Sequence, residues 1–217
     1  FKKLLNNRHK NTKILFTSSG AVYGKRNFKK KFKENDLINF KSISKFKGYK
    51  KGYAKSKIII ENEFKKLGKK GFNVSIARLF SFIGRRILIN NDFAVTNLIN
   101  QAKSSNKKHL LLNSSNDVYR AYMNAEDLIN WLVTILLHSN TKCNIYNVGS
   151  DEPVTIKKLA NVISKKFNKK VSIINKKKLK NNLDYYVPSI SKAKKELNLK
   201  LNFKFKKSIE QLLRFKL

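Results

Sequence analysis

Apolar residues along this chain fall into two rhythms that take turns. Short, nearly unbroken runs predict strands: KILFTSS (13–19), NVSIARLFSF (73–82), KHLLLN (108–113), CNIYNVGS (143–150) and a weaker VSIIN (171–175). The first opens into a loop of small residues, GAVYG (20–24). Between the runs, apolar positions recur at helical spacing. YAKSKIIIENEFKKLGKKG (53–71) places Ile58, Ile59, Phe64 and Leu67 ahead of Gly68, predicting a helix that starts at Tyr53. FAVTNLINQAK (93–103) has the same period. AEDLINWLVTILLHSN (125–140) is the clearest helix, because its acidic opening suits the positive end of the macrodipole. VTIKKLANVISKKFN (154–168) follows Pro153 as an amphipathic helix, and SISKAKKELNL (189–199) leads to a final helix over 206–217. Residues 25–48 and the link after VSIIN are lysine-rich and read as irregular surface chain. This alternation predicts an α/β protein with a largely parallel sheet, and no internal repeat interrupts it.

A chain of 217 residues suffices for one domain with a sizeable core, or for one domain and a small lobe. The 41% hydrophobic content and 15 Phe argue for a packed globule rather than a disordered tail. The net charge of +36 raises the question of a polyanion partner. Lysines recur in almost every polar stretch, however, and arginine, the better planar partner for phosphate, is scarce. Lys, Asn, Ile and Phe enriched together match what an AT-rich genome encodes, so the charge reads as a solvated surface with some non-specific stickiness. Cys143 stands alone, which excludes a disulfide framework and a cysteine metal site. The longest apolar run, LINWLVTILL (128–137), is too short for a bilayer, and a cytoplasmic setting is expected. The chain begins at Phe1, its one Met is Met123, and its start has no signal-peptide core, all of which suggests a fragment.

The informative pair is Tyr53 and Lys57, four residues apart and so on one face of their helix. An ammonium beside a phenol favours the phenolate, which is what a general acid/base needs near neutral pH. YxxxK alone is a weak signal in a chain with 8 Tyr and so much lysine. Upstream, Phe16-Thr17-Ser18-Ser19 puts hydroxyls at the carboxyl end of a predicted strand, where open α/β sheets bind ligands. His9, His109 and His138 are scattered without metal-ligand spacing, and no GxSxG, P-loop or HExxH occurs. Asp127 reads as a helix-start residue and Trp131 as core or a subunit contact.

Taken together, the strand with SSxxVYG and the later YxxSKxxxE, ending at Glu61, resemble the extended short-chain dehydrogenases/reductases of the NAD-dependent epimerase/dehydratase family, which modify nucleotide sugars. Further segments follow in the family's order. Ile76-Ala77-Arg78-Leu79-Phe80-Ser81 with Gly84 resembles RxFNxxGP, with Ser81 for Asn and Arg85 for Pro. Tyr119-Arg120-Ala121-Tyr122 through Asp127-Leu128 resembles RxYxxxxDL. Tyr146-Asn147-Val148-Gly149 resembles the NVG turn, and Tyr186-Val187-Pro188 with SKAKKELNL resembles the closing region. The likeness runs from about residue 10 to the end.

The resemblance implies an incomplete Rossmann-like doubly wound parallel sheet with a small C-terminal substrate-binding lobe. Residues 1–85 would form the later part of the NAD(P)-binding domain, and 86–217 mainly the lobe, with segments returning to the sheet. It implies Ser19, Tyr53 and Lys57 as catalytic residues, with Tyr53 and Lys57 also holding the nicotinamide ribose. Ser81, Asn97 and Arg120 would join Ser19 in binding a nucleotide-diphosphate sugar. The cofactor would be NAD or NADP, and a homodimer is expected. None of the 8 glycines forms the family's GxxGxxG turn, so most of the cofactor site would be absent and the isolated chain inactive. Dehydratases of the family carry acidic residues just after the Ser19 position, where this chain has Gly20 and Ala21. That ranks 4-epimerase and 4-ketoreductase together, for surface-polysaccharide sugars, ahead of 4,6-dehydratase. An inactive truncated relic and, last, a polyanion-binding protein remain as other classes.

Overall fold

The computed structural model describes residues 5–84, 93–106, 108–112, 118–174 and 183–214. Its central sheet is formed by β1 (Ile14–Ser19), β2 (Val74–Leu79) and β7 (Asn144–Val148), in the order β1-β2-β7 and all parallel. Parallel pairing needs long crossovers, and the chain supplies them with helices. Between β1 and β2 lie α1 (Phe40–Ser44) and α2 (Tyr49–Lys69). Between β2 and β7 lie β3 (Phe82–Ile83), α3 (Ala94–Lys103), β4 (His109–Leu112), β5 (Val118–Arg120), β6 (Met123–Asn124) and α4 (Ala125–Leu137). After β7 come β8 (Val154–Thr155), α5 (Ile156–Lys166), β9 (Lys170–Ile173), β10 (Asp184–Tyr186), α6 (Ser191–Leu197) and α7 (Phe205–Arg214).

Why the strands read as near-continuous apolar runs is visible in the packing. Successive side chains on a strand point to opposite faces, and both faces of this sheet are covered. Ile14, Phe16, Val74, Ile76 and Ile145 meet Phe64 and Leu67 of α2. Leu15, Ala77, Leu79, Tyr146 and Val148 meet Leu128, Trp131 and Ile135 of α4. Trp131 is buried in this second layer, and its indole Nε1 donates to Lys200 O at 2.9 Å. Register aligns Ser19 with Leu79 and Leu79 with Val148, so the three strands end at one edge. A second apolar core joins α3, α5 and α7 to β4 and β9, with Leu98, Leu110, Leu159, Ile163 and Phe205 inside. A small sheet, β10-β5-β8, is mixed: β10 runs parallel to β5 and β8 antiparallel.

Several element boundaries differ from the sequence expectation. The helix carrying Tyr53 begins one turn earlier, at Tyr49, after Gly48 turns the chain at φ 56°. Gly52 is tolerated because it falls in the first turn, and Tyr53 therefore lies inside the helix rather than at its start. Residues 25–48 contain α1, whose cap Asn39 accepts a hydrogen bond from Ser42 N at 2.9 Å. The expected strand over 73–82 stops at Leu79 and resumes as β3, which pairs with β6. Arg85, Arg86, Asn113, residues 175–182 of the lysine-rich link and residues 215–217, expected at the end of the final helix, lie outside the described residues. Among the described residues, no helix is long and apolar enough to cross a membrane.

Candidate active site

The carboxyl end of β1 runs straight into a 3-10 turn over Gly20–Tyr23. Ser19 caps that turn, its Oγ accepting from Ala21 N at 3.2 Å. Helix α2 packs Ala54, Ile58, Glu61, Phe64 and Leu67 inward. That spacing leaves Tyr53 and Lys57 together at the border of the buried face, next to the end of β1. Tyr53 is 44% exposed. Lys57 Nζ donates to Thr17 O at 2.8 Å and lies 5.5 Å from the Tyr53 ring centroid and 4.9 Å from that of Phe16. Partial burial draws the Lys57 pKa below its ordinary value. An ammonium has three donors, so two remain after the bond to Thr17.

Below this pair lies a buried polar network. Arg78 of β2 grips Glu61 of α2 with two bonds, Nε to Oε1 at 2.9 Å and Nη2 to Oε2 at 2.7 Å. Ser18 Oγ donates to Glu61 Oε1 at 2.6 Å. Arg78 Nη1 donates to the Tyr23 hydroxyl at 2.8 Å, and that hydroxyl donates to Asn147 Oδ1 at 2.8 Å. Asn147 N in turn donates to Glu34 Oε1 at 2.9 Å. Burial pushes the Tyr23 phenol up to about 12, against the pull of Arg78. The network therefore ties β1, β2, β7, α2 and the loop around Glu34 into one frame under Ser19, Tyr53 and Lys57.

The small sheet brings Arg120 and Tyr186 together as register partners on β5 and β10. Arg120 Nη2 donates to Asp184 Oδ2 at 2.8 Å, and Nη1 donates to Tyr119 O at 2.8 Å and to Asp184 O at 3.3 Å. Its guanidinium carbon lies 5.7 Å from the Tyr186 ring centroid. The Tyr186 ring packs 4.6 Å from that of Phe80, and its hydroxyl lies across Gly20, 2.6 Å from where a Cβ there would sit.

The other residues singled out in the sequence sit further apart in character. Ser81 is half-buried, and its carbonyl accepts from Met123 N at 3.0 Å. Asn97 lies on the exposed side of α3, its Oδ1 accepting from Gln101 Nε2 at 2.7 Å, and α3 itself packs on α5 and β4. Tyr53 and Lys57 thus lie beside β1, Arg120 lies 5.7 Å from the Tyr186 ring that covers Gly20 next to Ser19, and Asn97 stays on the exposed side of α3, the helix that packs in the second core. Sequence reasoning passed over Tyr186 as a member of this cluster, and over Glu34 and Asn147. Glu61 and Arg78 stood only as letters of motifs, though a buried acid and a buried base in adjacent elements must find each other.

Comparison with known proteins bears on the fold and the family. Residues 3–149 match the NAD dependent epimerase/dehydratase family. The chain belongs to that family. Among curated family relatives, UDP-glucuronic acid decarboxylase 1 of Arabidopsis thaliana is 25% identical over 186 residues, covering 86% of this chain and 41% of that protein. The fold matches UDP-glucose 4-epimerase of Thermus thermophilus, solved with NAD, at a TM-score of 0.75 and 19% identity. That match covers 94% of this chain and 63% of the other. It also matches dTDP-glucose 4,6-dehydratase of Bacillus anthracis, likewise with NAD, at a TM-score of 0.74 and 16% identity, covering 95% and 62%. The chain thus spans less than two thirds of the length of each of these family members.

Proposed function

We propose that the protein to which this chain belongs is a nicotinamide-dependent enzyme acting at C4 of a nucleotide-diphosphate sugar, as a 4-epimerase or 4-ketoreductase. What supports this reading is Lys57 bonded to Thr17 O, two residues before Ser19 at the carboxyl end of β1, with the Tyr53 ring 5.5 Å from Lys57 Nζ and with Gly20 and Ala21 following Ser19. The donor set fits a nicotinamide ribose. Lys57 has two donors to spare, and Tyr53 is 44% exposed on the same face. Tyr53 and Lys57 would hold that ribose, and NAD or NADP when bound supplies the site at which hydride is taken up and returned.

The chain's own residues then have separable tasks. Tyr53 takes the proton from the sugar O4 hydroxyl as hydride leaves C4, and gives it back when the 4-keto group is reduced. Lys57 sets its ammonium 5.5 Å from the Tyr53 ring, where it can hold the ribose and face the phenol together. Ser19 holds the O4 oxygen. Arg120 offers the planar fork suited to a diphosphate, with Ser81 and Asn97 as further substrate contacts. The segments from 86 onward would form most of the substrate lobe, and a homodimer is the expected assembly.

Elimination of water across C5 and C6 needs an acid and a base of its own. Gly20 and Ala21 supply neither, which sets epimerisation and reduction ahead of 4,6-dehydration. The test is product analysis with the complete gene product, NAD and NADP, and UDP-, dTDP- and CDP-hexoses. A C4 epimer or a reduced 4-keto sugar is expected, and a 4,6-dehydrated product would overturn the ranking.

A further inference from the structure

Arginine binds phosphate best as a fork, two parallel N–H groups meeting two oxygens, and the fork serves only if its long side chain is held still. Arg120 ends β5, a strand of three residues flanked by β10 and β8. A guanidinium carries five N–H hydrogens. Nη1 donates to Tyr119 O at 2.8 Å and to Asp184 O at 3.3 Å, while Nη2 donates to Asp184 Oδ2 at 2.8 Å. Asp184 of β10 thus takes the edge between the two Nη atoms, its carbonyl on one and its carboxylate on the other. Among the described residues, nothing accepts from Nε or from the second hydrogen of Nη2. The pair is part-shielded, with side-chain exposures of 25% for Arg120 and 21% for Asp184. It also borders the site, since the guanidinium carbon lies 5.7 Å from the Tyr186 ring and the Tyr186 hydroxyl covers Gly20 beside Ser19.

We propose that Asp184 is a positioning residue for the substrate's diphosphate, its carboxylate aiming the Arg120 guanidinium so that Nε and Nη2 stand as a ready fork for phosphate oxygens. Two backbone carbonyls fix Nη1 alone, and a planar group held at one atom can still pivot about it. The carboxylate on Nη2 is the second fixed point, and it sets the direction of the fork. Holding the side chain beforehand removes rotamer freedom that Arg120 would otherwise lose on binding, which favours affinity. The negative charge of Asp184 acts the other way, because it repels incoming phosphates. Acceptor and charge are therefore separable by substitution. This role rests on the proposed nucleotide-sugar substrate and adds the group that prepares the arginine for it.

Calorimetric titration of the complete gene product with UDP, dTDP and CDP tests this without turnover. For the diphosphate that binds, Asp184→Ala should weaken affinity about 3- to 10-fold, the cost of immobilising one long side chain. Asp184→Asn keeps an acceptor for Nη2 and drops the charge, so it should bind as tightly as the wild type or more tightly. In an Arg120→Ala background, Asp184→Ala should change affinity by less than about two-fold, because no fork is left to aim. With the sugar substrate, Asp184→Ala should raise KM by the same factor and leave kcat within about two-fold, as for a contact made equally in ground and transition states. Unweakened binding by Asp184→Ala, or an undiminished effect without Arg120, would overturn the proposal. Should Asp184→Ala not fold, Asp184→Asn still decides, since a loss there beyond about three-fold contradicts the acceptor role. Binding of none of the three diphosphates by the unaltered protein would sink the nucleotide-sugar reading and this role with it. Binding that ignores residue 184 sinks this role alone.

Discussion

Glu61→Gln removes one charge from the buried frame while keeping the side chain's shape. The Glu61 side chain is 1% exposed and that of Arg78 4%, so neither can recover hydration where it lies. Burial alone would pull the Arg78 pKa down, but hydrogen bonds and charge from Glu61 outweigh it and hold the guanidinium charged. A glutamine keeps an acceptor at Oε1 for Ser18 and for Arg78 Nε. Its amide nitrogen, however, would face Arg78 Nη2, donor against donor, where the carboxylate now accepts at 2.7 Å. Leaving one partner of a buried pair uncompensated costs about 3–5 kcal/mol. Whole domains are stable by about 5–15 kcal/mol, so the loss is a large share. Urea unfolding of the chain followed by circular dichroism should show the midpoint lower by about 2 M, for a slope near 2 kcal/mol per M. Replacing both partners with apolar residues should cost less than the sum of the two single changes, because contacting residues are coupled. A midpoint shift under about 0.5 M for Glu61→Gln would refute the claim that this pair bears an uncompensated charge when broken.

Three further outcomes follow from other features. Burial pushes the Cys143 thiol from its ordinary 9.0 up to about 11, so the unfolded chain gives up that proton first and stability falls as pH rises through this window. Thermal melts at pH 9 and 10 should differ by about 1 kcal/mol more in the wild type than in Cys143→Ala, and parallel slopes would contradict the linkage. Asp127 accepts from the backbone N–H groups of Asn202 and Phe203, each at 3.1 Å, and from Asn202 Nδ2 at 3.0 Å. Asp127→Ala should cost about 2–4 kcal/mol and release amide exchange protection at positions 202 and 203, and retained protection would show that another group holds this loop. Gly20→Ala should destabilise by about 1–3 kcal/mol through overpacking against Tyr186 and Phe80, and an unchanged melting temperature would mean those rings move aside freely.

How much of this was legible in the sequence depends on how local the cause is. The strands β1, β2 and β7 were readable because each sends apolar residues to both faces of the sheet, toward α2 and toward α4. Tyr53 and Lys57 were readable because helical spacing alone puts them on one face. The same reasoning misplaced the start of α2, since Gly48 and Gly52 look like loop residues until the helix's packing is known. The strands of the small sheet have two or three residues each, too few for any periodicity to show. Tyr186 was visible as part of a motif, but its place over Gly20 follows from the pairing of β10 with β5, which spacing along the chain does not encode. A single hint existed in Gly20: a glycine with ordinary backbone angles marks a close approach by something else.

The path of the chain through the sheet also sets the order in which the protein can be built. Gly20 leaves the ribosome ahead of the phenol that lies across it, since 166 positions separate it from Tyr186, roughly 8–33 s of synthesis at about 5–20 residues per second. Strand β2 waits as well, since its partner β7 is made 65 residues after β2 ends. During that interval Val74 and Ile76 sit on an unpaired strand edge, a template for joining another nascent chain. The lysines spread over almost every polar stretch give such intermediates a common positive charge, and mutual repulsion between them guards the half-built sheet until β7 arrives.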